Sequence, residues 1–528
     1  MPIAEQNGLI STKTHWLLWL SLIVIYAALR FNTLAIPLDR DEGAFGLMGQ
    51  MILNGGVPYV DGIDNKPPLI FFTFAAFLAF FPATAESIHI GLQIYNFFSL
   101  IVIFLLGKQL VDYAVAYWAA FLFALWSINP YLQGFTASSE MFLLLPLSAC
   151  FLMGLLAIRS SRIDLWYVFG SGMLAALACW YKQPAAFSVL GIVMFLAWKV
   201  IADTDGSAAM GKLMPVAAIW LLGGVLCSAV IVIYFYLNDA IAAFYYWSFE
   251  HPMLYSSSIP VANKVLLFWH GLKDLLGNMP LAFLCMVLAL KSELGRWLFL
   301  LLALSLFATL LGFGFAHYFA QILPALCLLG AIGVASVTRA GRLRSSRIKT
   351  GLAGIVILVA AVWPNQAYHL TGEPERFSRE YFGANPFPES VAFAEYLNTH
   401  TAPDQRIFVF GSEPQILLLA ERQSATPYFV LYPLFRSAFP RYLEFQEQVA
   451  TDVSASEPAY IIVVNLQQSL NHDGDAELAV FDFLVSYTAE HYALDRAFRY
   501  DETAANWVPD RQYDIQSSQA AIAFFKRN

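Results

Sequence analysis

Long apolar runs fill the first two thirds of the chain, parted by short polar turns. Crossing a bilayer as a helix takes about 20 mostly apolar residues. On that measure the runs predict about eleven spanning helices, near 16–36, 91–109, 114–131, 141–158, 165–181, 184–200, 214–237, 267–290, 296–314, 318–338 and 350–364. The run Pro67–Phe81 is shorter and lies between two polar loops, so it predicts a re-entrant or interfacial helix. Near Asn365 the pattern changes to a polar tail rich in acids and tyrosine. Short β-like runs stand at Arg406–Phe410 and Ala459–Val464, with helical patterns at Pro388–Asn398 and Ala476–Ala489. The expected organisation is an α-helical polytopic membrane domain over 1–365 and a soluble α/β domain over 366–528.

Composition agrees with that reading. Only 13% of residues are charged and mean hydropathy is +0.59, whereas soluble domains average about 25% charged. The net charge of −8 gives no reason to expect nucleic-acid binding. Cys150, Cys179, Cys227, Cys285 and Cys327 all lie in apolar runs with no metal-binding spacing, and read as small core hydrophobes. The stretch from Lys13 into Trp16–Leu29 has no small-residue cleavage site after it, so it reads as a retained first helix. No glycosylation sequon occurs, which favours a bacterial source.

Cytoplasmic loops of membrane proteins carry an excess of Lys and Arg. Lys13, Lys108, Arg159, Arg162, Lys199, Lys212, Lys291 and Arg296 all fall in alternate loops, as does the cluster Arg339, Arg342, Arg344, Arg347 and Lys349. This predicts a multi-pass protein of a bacterial inner (plasma) membrane, its N-terminus cytoplasmic and its tail periplasmic or extracellular.

The polar residues of interest then fall on the outer face. Asp39 caps a helix beginning at Arg40, with Glu42 three residues on, and Ala44, Phe45, Leu47, Met48, Met51 and Ile52 form an apolar face. This reads as an amphipathic helix lying on the membrane surface. Acids there suit a helix N-terminus, or Asp41 serves as general base with Glu42 orienting an acceptor. Lys66 precedes the stiffening Pro67-Pro68 and could meet a phosphate or ordinary headgroups. Glu140 opens a helix after Gly134–Ser139. With Asp41 it could share a divalent cation or a sugar hydroxyl. Lys182, in the turn Trp180–Pro184, goes against the charge trend and calls for an acid or a phosphate, phosphate being favoured. His317 and Tyr318 lie at the outer end of the tenth expected helix, and Glu250, His251 and Tyr255 are weaker candidates in the loop 238–264.

These motifs resemble the GT-C superfamily of membrane glycosyltransferases, most of all the group containing protein O-mannosyltransferases and lipid A aminoarabinose transferases. The resemblance rests on the acidic pair Asp41-Glu42, on Lys66-Pro67-Pro68-Leu69, on Glu140, on Lys182-Gln183-Pro184, and on Tyr318 with Leu323-Pro324-Ala325-Leu326. Asn65 stands where the aminoarabinose-type members carry Glu. The likeness covers about residues 10–365. It implies a GT-C fold, a polyprenyl-phosphate sugar donor, a site on the outer face and inversion at the anomeric carbon. Some members bind a divalent metal near the site and others do not, so no cofactor is assigned.

The reaction expected from these residues is removal of an acceptor proton by Asp41 and displacement of polyprenyl phosphate from the sugar. Lys66, Lys182 and Tyr318 would meet the phosphate. Glu140, His317, Glu250 and His251 would serve substrate or metal. The acceptor could be a lipid, a glycan or a protein, and the surrounding partners are membrane lipids. The rival class is a transporter or flippase of lipid-linked sugars, which needs midplane charges or paired repeats. Few such charges and no repeat are found.

Overall fold

The computed structural model describes residues 11–160, 162–202, 206–312, 314–339, 343–370, 372–511, 513–515 and 520–528; for 206–210, 212 and 343–347 it describes the backbone alone. Of the basic loop residues named above, Arg342 therefore lies outside the described residues, as do the side chains of Lys212, Arg344 and Arg347. The chain divides into two compact units. One comprises Met1–Leu34, His89–Tyr234 and Ile259–Gly372; the other comprises Ala35–Ile88, Phe235–Ser258 and Glu373–Asn528. The grouping thus interleaves the sequence, placing two loops of the first 365 residues with the tail.

The first unit holds the membrane-spanning helices. Among the described residues, eight are long and apolar enough to cross a bilayer, and the pair Val261–Asn278 and Pro280–Ala289, bent by 92°, makes up to nine. Tyr113–Trp126 and Leu165–Tyr181 are apolar but shorter, at 14 and 17 residues. Ten of the eleven expected spans each fall on one helix; the span expected at 267–290 is instead the bent pair, and the lower count comes from that bend and from the two shorter helices. The protein is a multi-pass α-helical membrane protein. Ser139–Ala157 pairs with Leu165–Tyr181, and Leu323–Arg339 packs against Tyr113–Trp126, Pro280–Ala289 and Glu293–Phe307. Inside this unit Arg30 is buried without an acid. It lies over the Tyr26 ring at 3.7 Å and donates to Gln93 Oε1, the Ala124 carbonyl and Ser127 Oγ at 2.7–2.9 Å. Neutral acceptors on two segments thus satisfy a charge that apolar surroundings would otherwise penalise.

The second unit centres on a five-stranded mixed sheet: β1 (Ile407–Phe410), β2 (Tyr460–Asn465), β3 (Tyr492–Asp501), β4 (Asn506–Pro509) and β5 (Ala521–Arg527), in the order β1-β2-β5-β3-β4. β1 and β2 are parallel and the other pairs antiparallel. Both parallel strands are unbroken apolar runs because both their faces are covered. They match the expected β runs, and Ser390–His400 and Ala479–His491 match the expected helices. β3 was not legible: only two of its ten residues are buried and a bulge at Leu494/Arg496 breaks its alternation.

The first-loop helix Arg40–Leu53 lies in this unit, between the helices Leu69–Leu78 and Pro414–Ala420. Its residues 42–49 are all buried, so its surface is not one-faced as the apolar pattern suggested. Gly43 and Gly46 let the helix Pro414–Ala420 approach, and Gly49 does the same for Leu69–Leu78. A Cβ at Gly43 would sit 2.4 Å from the Gln415 backbone nitrogen, one at Gly46 2.3 Å from Leu418 Cδ2, and one at Gly49 2.7 Å from the Ala75 nitrogen. Phe45 meets Phe71 and Phe74 at ring distances of 6.0 and 5.7 Å. The expected short helix after Pro67 is Leu69–Leu78, whose 10 residues rise only about 15 Å.

Candidate functional site

The acids of the first loop have separate tasks. Asp39 is the N-cap: its Oδ1 accepts the Glu42 N–H at 2.9 Å, while Glu42 Oε2 accepts the Asp39 N–H at 3.0 Å. This reciprocal capping box satisfies two helix-end donors. It also buries Glu42 to 1% exposure. Burial, reinforced by the charges of Glu42 and Asp41, pushes the Asp39 carboxyl well above the usual range. Asp41 is different. Its side chain is 40% exposed and stands 3.5 Å from Lys66 Nζ. Of the three acids, it is the one open to a substrate.

Lys66 is aimed by its own loop. Its backbone N–H donates to Asp64 Oδ1 at 2.9 Å, its carbonyl accepts the Tyr59 hydroxyl at 2.7 Å, and its ammonium lies 5.5 Å from the Phe45 ring centre. Asp64 is buried, and that burial raises its carboxyl despite the nearby Lys66. Tyr255 and Tyr432, 5.5 Å apart, are electrostatically coupled to Asp41, and burial raises both phenols. Arg40 holds the start of the helix in place. It donates to Glu413 Oε1 at 2.7 Å, to Asn385 Oδ1 at 3.0 Å and to the Ser412 carbonyl.

The loop residues 238–258 continue this unit. His251 is fully buried, and neither ring nitrogen has a hydrogen-bond partner. Phe439, Trp247, Tyr432 and Tyr246 surround it at ring distances of 4.6–6.1 Å. Burial lowers its pKa to about 3, so the ring is neutral. Glu250, at the end of the π-helical turn Tyr246–Glu250, is exposed.

The other candidates form a cluster within the first unit. Glu140, buried at the start of Ser139–Ala157, pairs with Lys182 Nζ, and His317 Nε2 lies 3.6 Å from the same carboxylate oxygen. Ser139 Oγ donates to its other oxygen at 2.9 Å. Lys182 Nζ lies 3.4 Å over the Tyr318 ring, a cation–π contact. His317 stacks on Phe315 at 5.7 Å. Of the two partners expected for Lys182, the acid is the one the structure supplies. Glu140, Lys182, His317 and Tyr318 therefore come together, and Asp41, Glu42 and Lys66 come together.

No family model matches the chain, and no curated protein sequence matches it. Solved structures do. ArnT from Cupriavidus metallidurans bound to undecaprenyl phosphate aligns at a TM-score of 0.56 and 12% identity, over 86% of this chain and 94% of that one. The same protein in the apo state aligns at 0.56 and 10%, over 97% and 98%. The chain has the GT-C glycosyltransferase fold. The archaeal oligosaccharyltransferase AglB from Archaeoglobus fulgidus is a looser match, at a TM-score of 0.47 and 13% identity, over 97% of this chain and 76% of that one.

The sequence leaves a divalent metal open. Among the described residues, no three His, Cys, Asp or Glu side chains gather as a ligand set. Where Glu140 and His317 do approach, the Lys182 ammonium occupies the carboxylate. Those donors do not fit a divalent ion. Sequence reasoning missed Arg40 and the glycine face. The spacing of Gly43 and Gly46 was a usable signal, since residues three apart share a helix face. Arg40 had none, because its partner Glu413 is 373 positions away.

Proposed function

We propose that the protein is an inverting glycosyltransferase that moves a sugar from a polyprenyl-phosphate donor to an acceptor hydroxyl. The observation that carries this reading is the exposed Asp41 carboxylate beside Lys66 at 3.5 Å, on a helix start rigidly capped by Asp39 and Glu42. The GT-C fold and its solved relative bound to undecaprenyl phosphate support the class of donor.

Asp41 takes the proton of the acceptor hydroxyl. The oxygen forms a bond to the anomeric carbon as the bond from that carbon to the phosphate oxygen breaks. Polyprenyl phosphate leaves with the electron pair, and Lys66 meets its charge. A phosphate leaves readily, so positioning and charge neutralisation supply most of the rate. Lys182, by the same reading, is a second cation for an anionic group. Glu42 acts through Asp41 as a positioning residue. From the distribution of Lys and Arg in the loops, transfer takes place on the outer face of a bacterial inner membrane.

The test is transfer from a panel of radiolabelled polyprenyl-phosphate sugars by the purified protein beside its Asp41→Asn variant. Label released from one donor by the wild type alone supports the reading and names the sugar. Equal release by both proteins removes Asp41 from the mechanism.

A further inference from the structure

The second unit contains a cavity of about 430 Å³ away from Asp41. It lies at the far end of the helix Arg40–Leu53, where Gln50, Met51 and Asn54 contribute to its wall. At 1.5 Å per residue, that is about 15–20 Å along the axis from Asp41. The tail contributes Arg406, Arg422, Ser424 and Phe429. A size of this order is typical of small-molecule sites, about 300–1,000 Å³.

Two features give the cavity a chemistry. Arg422 is only 7% exposed, and it is held by neutral groups alone: the Thr401 hydroxyl and carbonyl and the Ala420 carbonyl, at 2.9–3.0 Å. A guanidinium has five N–H donors, so two remain. An anion in the cavity would meet those two donors with charge-assisted hydrogen bonds. Arg406 adds a second, exposed guanidinium to the lining. The lining holds one acid, Asp61, whose Oδ2 already accepts the Val57 N–H at 2.7 Å. Within the lining two positive charges therefore face one negative; outside it Asp452, which accepts the Thr426 hydroxyl at 3.0 Å, adds an acid near Arg406.

The rest of the wall suits a ring with hydroxyls. Gln50, Asn54 and Ser424 offer amide and hydroxyl groups, while Phe429 offers an aromatic surface. The wall is also preorganised. Gly62 lets Phe429 approach, since a Cβ there would lie 2.8 Å from its ring, and the Ile63 N–H donates to the Pro427 carbonyl at 3.0 Å.

We propose that this cavity binds a saccharide bearing a phosphate or carboxylate group. The two arginines take the anion and the amides take the hydroxyls. Such a ligand goes beyond the transfer reaction, and its binding does not require Asp41.

The experiment is calorimetric titration of the full chain, in nanodiscs of neutral lipid, with glucose 1-phosphate, glucuronate, glucose and inorganic phosphate. The wild type, Arg406→Gln and Asp41→Asn proteins are compared. Saturable binding of either sugar anion supports the proposal, provided Arg406→Gln weakens it about tenfold or more and Asp41→Asn leaves it unchanged. Arg406 is exposed, so this variant keeps the fold; Arg422→Gln adds a second reading where it folds. Four outcomes overturn the proposal: no saturable binding, equal affinity for glucose, equal affinity for inorganic phosphate, or an affinity that Arg406→Gln does not change. Because Asp41→Asn abolishes only transfer, loss of transfer with intact sugar-anion binding separates the two readings.

Discussion

Replacing Asp41 and Glu42 one at a time separates chemistry from architecture at adjacent positions. Asp41→Asn removes the base but little of the fold. The carboxylate is 40% exposed and its Lys66 partner is 3.5 Å away. A partly solvated pair of that kind is worth about 0.2–1 kcal/mol, so the melting temperature should fall by no more than a few degrees. General-base catalysis contributes about 10²–10⁴ in rate, and the turnover should fall by that factor. Glu42→Gln keeps an oxygen to accept the Asp39 N–H, as capping boxes built on Gln do. It should retain activity within about tenfold, the scale of losing one modest contact, about 1.4 kcal/mol. Glu42→Ala loses the buried acceptor and should cost about 1–3 kcal/mol of stability. The assay is the initial rate of sugar transfer, read beside scanning fluorimetry of each detergent-purified variant. If Asp41→Asn keeps more than a tenth of the rate, or if Glu42→Gln falls as far as Asp41→Asn, the assignment of the base is wrong.

Gly43→Ala puts a methyl 2.4 Å from the Gln415 backbone nitrogen, so the helices must part; overpacking of this kind costs about 1–3 kcal/mol, visible as a lower melting temperature. Lys182→Ala strips the buried Glu140 of its ammonium and should cost about 3–5 kcal/mol, while the double variant Glu140→Gln with Lys182→Met should recover much of that in the same melt. His251 has its folded pKa lowered to about 3, against an ordinary value near 6.5. The unfolded chain therefore binds the proton first, and the stability from neutral His251 is present above about pH 6.5 and lost as pH falls toward 3. His251→Phe should flatten the dependence of melting temperature on pH over that window; an unchanged slope would place the acid sensitivity elsewhere.

Much of the site was legible residue by residue but not as a set of roles. Asp39 and Glu42 could be read as a capping box because the pair lies within one helical turn. What could not be read was that the same box takes Glu42 out of solvent while leaving Asp41 in it. Lys182 was legible as a cation in need of a partner. That the partner is Glu140, 42 positions earlier, depends on how Ser139–Ala157 and Leu165–Tyr181 pair.

The sequence by itself determined the helical, multi-pass body, because a bilayer admits few structures and each span must be long, apolar and internally hydrogen-bonded. It determined β1 and β2 for a similar reason: a strand covered on both faces is an unbroken apolar run. Tertiary structure alone decided that the first loop belongs with the tail, since Arg40 and Glu413 attract only once the helices Arg40–Leu53 and Pro414–Ala420 are packed. It also decided the burial of His251 and the cavity beside Arg406 and Arg422. Local periodicity records which face of an element is covered, whereas the identity of what covers it is set by contacts hundreds of residues apart, which leave no period in the chain.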